Sequence, residues 1–137
     1  MNESEMRSRV AEARVARVGT IDEHGRAHLV PIVFVLHRDT LYSATDAGSR
    51  PAKRLRNLKA DPRVSVVVDD YDEDWSKVWW VRLAGRGRVI EGGPEWDRAR
   101  RLLWEKYPQF EDAPADEATG PLMAVDVEEW SGWAYSG

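Results

Sequence analysis

Apolar and polar residues alternate in short runs along most of the chain, a pattern that predicts a mainly β protein with a few helices. Strands are predicted at Ala16–Ile21, Ala27–Leu36, Thr40–Ala44, Arg63–Val68, Lys77–Glu91 and Leu122–Val127. Helical spacing predicts helices at Ser4–Arg14, from Pro51 to about Ala60, and at Pro94–Lys106. Because tight turns rather than crossover helices join most strands, we expect an antiparallel sheet that is closed or nearly closed.

Two of these strands carry further information. Nearly every residue of Ala27–Leu36 is apolar, and such a strand must be covered on both faces, here by a partner subunit or a bound ligand. In Lys77–Glu91, Trp79 and the apolar residues of the same parity form the predicted core face, with Gly85 and Gly87 among them. Two glycines in a strand indicate a bend or a close approach, as where a sheet curls into a barrel.

The connecting segments are predicted from their turn residues and charge. Asp22–Arg26 has the length of a hairpin connection, in which Gly25 can adopt a positive φ. Asp69–Ser76 is an acidic loop, and Pro108–Gly120 is a loop rich in Pro and acidic residues. Glu128–Gly137 is a Trp-rich tail after the last strand.

The composition narrows the class of protein. With 137 residues the chain is expected to form one domain, residues 1–137. It contains no Cys, which excludes disulfides, thiolate metal sites and cysteine nucleophiles. Its three His residues lack metal-ligand spacing, so no metal is expected. A charged N-terminus and the lack of a long apolar run argue against a signal peptide and a membrane span, and we expect a cytoplasmic protein.

Charge is placed unevenly along the sequence. The net charge is −4, which argues against a nucleic-acid partner. One segment is nevertheless basic, with cations at Arg50, Lys53, Arg54, Arg56, Lys59 and Arg63. A basic cluster on an acidic protein favours a small anionic ligand, although a solvated helix face explains the charge alone equally well.

The predicted start of the helix indicates which kind of ligand this basic cluster could bind. The first turn of a helix has unpaired N–H groups and partial positive charge, so it attracts phosphate. Lys53 and Arg56 are three residues apart and share one face of that turn, and Arg50 precedes it. The sequence contains no nucleophile elbow, Walker loop or dinucleotide fingerprint. The helix start is therefore the remaining candidate site, with phosphate as the expected ligand, although such clusters also occur on plain protein surfaces.

The residues around this helix start resemble those of a known family. Arg50-Pro51-Ala52-Lys53-Arg54-Leu55-Arg56-Asn57-Leu58, followed by Asp61-Pro62-Arg63-Val64, is similar to the cofactor-binding signature of the pyridoxamine 5′-phosphate oxidase-like (PPOX class) split β-barrel family. Gly25–Pro31 resembles the first hairpin of that family, and Asp72–Arg82 resembles the stretch that precedes its long strand. The chain most resembles the branch that uses the deazaflavin coenzyme F420.

The resemblance implies a fold and a site. The fold would be a mainly β, α+β antiparallel split β-barrel of the FMN-binding type, as a homodimer with cofactor sites at the subunit interface. Lys53 and Arg56 would contact the cofactor phosphate with support from Arg50, and Asn57 would fix the helix start. The cofactor ring would be lined by backbone groups of Val30, Pro31, Ile32 and Val33 and by the side chains of Ala44 and Thr45. Trp75 would flank the ring or the cofactor tail across the interface, or else pack in the core.

Three further residues have two possible roles each. Arg82 and Arg88 would serve the partner's site or lie on the surface. His28 would face the pocket or be structural. No catalytic side chain is assigned.

The resemblance also implies a function, which is hydride transfer between reduced F420 and a small unsaturated organic acceptor that the sequence does not identify. The same fold with FMN or FAD is the alternative, because all three cofactors carry phosphate, and a non-catalytic cofactor-binding protein is another. The surplus cations Arg54 and Lys59 favour F420, which has an anionic glutamate tail. Vitamin B6 oxidation is not expected, because the C-terminal segment Trp130–Gly137 lacks the Arg of the family's Trp-Arg-Leu type motif.

Overall fold

The structure is a computed structural model that describes residues 1–44, 52–112 and 119–136. The helices in these ranges are α1 (Glu3–Glu12), α2 (Lys53–Ala60) and α3 (Pro94–Lys106). The strands are β1 (Ala16–Ile21), β2 (Ala27–Ile32), β3 (Val35–His37), β4 (Thr40–Ala44), β5 (Arg63–Asp70), β6 (Trp79–Ile90) and β7 (Leu122–Ala134). Short 3-10 turns cover Trp75–Lys77 and Pro108–Asp112. The strands form one antiparallel sheet in the order β2-β1-β5-β6-β7-β4-β3, curled into a half-barrel.

The inside of the half-barrel holds the larger apolar core. Alternate residues of the central strands point inward, so Val18 of β1, Val66 of β5 and Leu83 of β6 are fully buried. Val10 of α1 and Leu55 of α2 pack into the same core. Two of the helices therefore cover the half-barrel and are positioned by apolar burial, which is the main stabilising contribution to such packing.

A second apolar cluster lies where α3 packs against β4 and β7. Its buried members are Tyr42, Ala99, Leu103, Tyr107, Leu122 and Ala124. The predicted helix Pro94–Lys106 is confirmed with these bounds. The sheet is therefore covered by apolar contacts on the α3 side as well.

The prediction of one strand at Ala27–Leu36 is wrong. β2 ends at Ile32 beside β1, and β3 begins at Val35 at the other edge of the sheet. Phe34 lies between them and is fully buried, and its N–H donates to the Tyr107 hydroxyl at 3.1 Å. The chain thus passes from one edge of the sheet to the other within this apolar run. Periodicity did not reveal the break, because both strands and the crossing between them are apolar.

The Trp-rich C-terminal segment belongs to the sheet, so the predicted strand Leu122–Val127 is too short. β7 pairs with β6 from Leu122 to Ala134. Glu128 and Glu129 interrupt the apolar pattern and are exposed, which made this part of the strand look like a tail. The backbone of this part of β7 pairs with the long β6, and the local sequence pattern does not indicate that pairing.

Three glycines behave as their sequence positions predicted. Gly25 has a φ of +75° in the β1–β2 turn. The pairing of β6 with β7 shifts register between Ala84 and Gly85, and a Cβ on Gly85 would collide with the carbonyl oxygen of Asp126. A Cβ on Gly87 would collide with a side chain of α2. Of the two alternatives predicted for the long strand, the close approach is therefore confirmed at both glycines.

Two further findings concern the described residues as a set. Their helices are all too short or too polar to cross a bilayer. The same ranges contain no group of three or more His, Asp or Glu side chains placed to hold a metal ion.

Candidate functional site

The start of α2 is positively charged. Ala52 is the N-cap, and it provides no side-chain acceptor for the N–H groups of the first turn. The first turn contains no acidic residue, whereas Lys53, Arg54 and Arg56 lie in or directly after it. The peptide dipoles of a helix give its start a partial positive charge, and these side chains add to that charge. This arrangement suits a phosphate or another small anion.

Several predicted features of this region lie outside the described residues. They are the helix start at Pro51, the phosphate contact of Arg50 and the ring contact of Thr45. Within the described residues the helix begins at Lys53.

Buried contacts fix α2 in place. Asn57 is 4% exposed, and its Nδ2 donates to Thr20 Oγ1 of β1 at 3.0 Å. Thr20 is also buried, so this hydrogen bond satisfies two polar groups that water does not reach. Leu55 and Leu58 of the same helix pack in the core. The bond to Thr20 is the kind of contact expected of a residue that fixes the helix rather than touching a ligand.

Lys53 is linked to the turn between β1 and β2 through Asp22. One carboxylate oxygen of Asp22, Oδ1, accepts the N–H groups of His24 at 2.8 Å and Arg26 at 2.9 Å. The other, Oδ2, lies 3.7 Å from Lys53 Nζ. The N–H of Arg26 is the main cause that holds the pKa of Asp22 below its ordinary value, with help from the N–H of His24 and the Lys53 ammonium. The hairpin turn and the first turn of α2 are therefore joined by one ionised carboxylate.

Arg56 lies beside a cavity on the β6 side of α2. The cavity has a volume of about 210 Å³ and is lined by Leu55, Arg56, Lys59, Val89, Glu91 and Pro121. Arg56 is exposed, and Lys59 Nζ lies 3.9 Å from Glu91 Oε1. Lys53 and Arg56, which the sequence predicted on one face of the helix, therefore have different immediate neighbours.

The structure places two of the predicted ring-lining residues around the end of β4, and one of them, Ala44, contacts α2. Ser43 Oγ donates to the carbonyl of Val33 at 2.7 Å, and Arg54 Nη2 donates to the carbonyl of Ala44 at 3.3 Å. Val33, Ala44 and Arg54 are thus held around the end of β4.

The other predicted ring-lining residues belong to β2. Val30 and Ile32 direct their side chains to the core, and Pro31 is exposed on the outer face. β2 is an edge strand of the sheet, and an edge strand presents backbone groups that no neighbouring strand of its own sheet uses. Contact between a ligand and this stretch would therefore be made through the backbone, as the resemblance implied.

Trp75 lies far from α2 within one chain. It is 61% exposed on the 3-10 turn after β5, and its Nε1 is 3.4 Å from the hydroxyl of Tyr71. The alternative that Trp75 packs in the core is wrong. α2 precedes β5 and Trp75 follows it, so the eight residues of β5 separate them by about 25 Å. Within one chain, Trp75 therefore lies at the other end of β5 from α2.

Three other candidate residues occupy distinct positions. His28 of β2 faces Thr20 across the strand pair, and its buried Nδ1 has no hydrogen-bond partner among the described residues. Arg82 is exposed, with its guanidinium 5.5 Å from the centre of the Trp80 ring. Arg88 is occupied within its own chain, because it forms ion pairs with an acidic residue of α3 and another of β7.

Asp22 is the site residue that sequence reasoning missed. An Asp followed by Gly a few residues later is a recognised signal for a side chain that accepts backbone N–H groups in a turn. Its ion pair with Lys53 had no local signal, because it depends on how α2 packs against β1.

Comparison with known proteins identifies relatives of this fold. The sequence profile of the family described as pyridoxamine 5′-phosphate oxidase matches residues 3–134. No curated protein matches the chain.

Three solved structures superpose on almost the whole chain. A conserved hypothetical protein from Mycobacterium tuberculosis has a TM-score of 0.81 at 22% identity, covering 98% of this chain and 85% of its own. An FAD-binding protein from Mycobacterium smegmatis has a TM-score of 0.70 at 19% identity, covering 98% of each chain. The heme storage protein HutZ from Vibrio cholerae has a TM-score of 0.75 at 17% identity, covering 96% of this chain and 93% of its own. Identities this low support a shared fold and leave the ligand open.

Proposed function

The chain belongs to the pyridoxamine 5′-phosphate oxidase family, and we propose that it is an oxidoreductase that binds coenzyme F420 at the start of α2. Its second substrate is a small unsaturated organic molecule that accepts a hydride. One observation carries this proposal: the start of α2 has no acidic residue in its first turn and no side-chain cap, and it bears Lys53, Arg54 and Arg56.

The chemistry of these residues fits the phosphate of such a cofactor. Lys53 and Arg56 hold the phosphate together with N–H groups of the first turn, since charge-assisted hydrogen bonds of this kind are short and strong. Arg50 supplies a further cation. Asn57 keeps the first turn in position through its bond to Thr20. Lys59, which lines the same cavity as Arg56, fits the anionic tail that distinguishes F420.

Backbone groups of residues 30–33 and the side chains of Ala44 and Thr45 would line the ring of the cofactor. The hydrogen bond from Arg54 to the carbonyl of Ala44 and the bond from Ser43 to the carbonyl of Val33 support this wall. When bound, F420 supplies the hydride. The protein binds and orients the ring and the acceptor and excludes water from them.

We propose that the protein acts as a homodimer. Leu29, on the outer face of β2, is 70% exposed, and an exposed apolar side chain on an edge strand favours a partner surface. Trp75 is also exposed and lies at the opposite end of β5 from α2. A second subunit would cover Leu29 and would bring its Trp75 to the cofactor site of the first.

FMN or FAD bound at the same place is the second candidate. The similarity to an FAD-binding protein of the same fold favours it, and both flavins present phosphate to the start of α2. A non-catalytic cofactor-binding protein is the third, and the similarity to a heme storage protein of the same fold favours it.

Retention of the cofactor tests these candidates. The purified protein is mixed separately with F420, FMN and FAD and passed over a gel-filtration column, and the absorbance spectrum of the protein peak is recorded. We expect F420 to elute with the protein at the volume of a dimer, and reduced F420 to lose its hydride when unsaturated acceptors are added. Retention of FMN or FAD alone would establish the second candidate, and F420 retention without transfer to any acceptor would establish the third. Retention of none of them would overturn all three.

A further inference from the structure

Asp22 is a fixed negative charge beside the start of α2. Its side chain is 9% exposed, and its Oδ2 lies 3.7 Å from Lys53 Nζ. The two N–H groups that bond to Oδ1 prevent the carboxylate from turning away. Among the described residues Asp22 is the ion-pair partner of Lys53, and Arg56 has no such partner there. A phosphate that contacts Lys53 must therefore share its ammonium group with Asp22.

We propose that Asp22 makes the site select a phosphodiester, with one negative charge on the phosphate, over a phosphomonoester with nearly two. This inference rests on the proposed function, because it concerns the same phosphate site. F420 is a phosphodiester and FAD carries a pyrophosphate diester, whereas FMN ends in a phosphomonoester. Asp22 is then the residue that determines which class of flavin-type cofactor the protein accepts.

The charge balance at Lys53 gives the physical reason. A phosphate bonded to Lys53 lies within one Debye length of Asp22, about 8 Å at physiological ionic strength, so the carboxylate repels it. Lys53 and Arg56 attract both kinds of phosphate, whereas Asp22 repels a doubly charged monoester about twice as strongly as a singly charged diester. Asp22 therefore cancels much of the advantage that the second charge of a monoester would otherwise gain at this position. At such separations one added unit charge changes affinity by roughly five- to tenfold.

A purely structural role for Asp22 is the competing explanation, since the residue also holds the hairpin turn. Asp22→Asn separates the two roles. The amide oxygen of Asn still accepts the N–H groups of His24 and Arg26, while the negative charge beside Lys53 is removed. Asp22→Ser is the second variant, because a Ser hydroxyl also accepts a turn N–H and carries no charge.

Asp61→Asn is the matched control. Asp61 follows the last residue of α2 and pairs with Arg63 at 2.7 Å, so this substitution changes the net charge equally but at the other end of the helix. Riboflavin, which has no phosphate, is the ligand control.

Dissociation constants for FMN, FAD, F420 and riboflavin are measured by fluorescence titration for the wild type and the variants. We expect Asp22→Asn and Asp22→Ser to strengthen FMN binding relative to F420 and FAD by five- to tenfold, with Asp61→Asn and riboflavin binding unchanged. An unchanged FMN-to-F420 ratio in both Asp22 variants would overturn this inference alone. An equal shift in Asp61→Asn would also overturn it, because net charge would then be the cause. A wild type that binds none of the three cofactors would overturn the proposed function together with this inference.

Discussion

Arg88 and Asp126 form a two-point ion pair across β6 and β7. Arg88 Nε donates to Asp126 Oδ2 at 2.6 Å, and Nη2 donates to Oδ1 at 2.9 Å. The same guanidinium donates to both carboxylate oxygens of Glu95 in α3, at 2.6 and 2.8 Å. Glu95 also accepts from the hydroxyl of Tyr42 in β4 at 2.7 Å. One arginine therefore joins two neighbouring strands to the helix that covers them.

Replacement of Arg88 is expected to destabilise the packing of α3 on the sheet. Arg88→Met keeps an aliphatic side chain but leaves two carboxylates close together without their cation. Because all three charged groups are partly exposed, we expect the free energy of unfolding to fall by about 1–2 kcal/mol. Urea denaturation monitored by circular dichroism measures the change. Arg82→Met on the same strand is the control and should change it by less than about 0.5 kcal/mol. Equal effects of the two substitutions would contradict a special role for Arg88.

The same cluster predicts how stability depends on acid. Hydrogen bonds from Arg88 lower the pKa of Glu95 from 4.5 to about 2, and Arg88 also lowers the pKa of Asp126. A carboxylate whose folded pKa is lowered stabilises the protein above its unfolded pKa and loses that contribution as the pH falls. The stability difference between wild type and Arg88→Met should therefore be full above about pH 4.5 and shrink toward pH 2. Denaturation curves at several pH values check this, and a difference that stays constant down to pH 2 would rule it out.

How much the sequence revealed depended on whether the signal was local. The alternation of apolar and polar residues in β6 predicted which face of the strand lies in the core, because the apolar character of each inward residue is visible in the sequence. The break between β2 and β3 was missed, since Phe34 is as apolar as the strands on either side. The second half of β7 was missed because its stability comes from pairing with β6.

The candidate site likewise combines a feature that the local sequence predicted with one that it did not. The spacing of Lys53 and Arg56 marked the start of α2 as a place for an anion. The ion pair of Lys53 with Asp22 arises only when α2 packs on β1, and such a tertiary contact leaves no trace in the local sequence.

Gly85 is the glycine whose replacement we expect to cost most. It lies at the register shift between β6 and β7, where a Cβ would collide with the backbone carbonyl of Asp126. A backbone atom cannot turn aside as a side chain does, so the strands must separate. We expect Gly85→Ala to lower the free energy of unfolding by about 1–3 kcal/mol, measured by urea denaturation. Gly92→Ala is the control, because its Cβ would meet nothing within 4 Å. A Gly85→Ala variant as stable as Gly92→Ala would show that the bulge relaxes without cost.

Lys106 is expected to make stability rise with pH. Its Nζ is buried without a hydrogen-bond partner in the described part of the chain and lies 4.1 Å from the centre of the Phe34 ring. Burial lowers its pKa from 10.5 to about 8, and the neighbouring Arg14 charge acts in the same direction. Between about pH 8 and pH 10 the unfolded chain therefore holds a proton that the folded protein has lost, so raising the pH favours folding.

Lys106→Met removes this group and tests the sign. Relative to the wild type, we expect the variant to gain less stability between pH 7.5 and pH 9.5, values within about two units of the shifted pKa. Thermal unfolding at a series of pH values measures the difference. Lys77→Met, at an exposed position, should follow the wild type. A Lys106→Met variant that gains as much stability as the wild type would show that the ammonium carries its ordinary pKa in the folded protein.

Removal of the cations at the start of α2 is expected to weaken cofactor binding. Lys53→Ala and Arg56→Ala each delete a charge-assisted contact to the proposed phosphate, so each should weaken binding by about 2–3 kcal/mol, or roughly thirty- to a hundred-and-fiftyfold in affinity. Neither side chain belongs to the apolar core, so the thermal stability of the free protein should change little. Fluorescence titration with F420 measures the affinities, and Arg101→Ala on the exposed side of α3 removes an equal charge elsewhere. Because Arg56 also lines the cavity with Lys59, its loss should weaken F420 more than FMN. Affinities equal to the wild type in both variants would remove the start of α2 from the binding site.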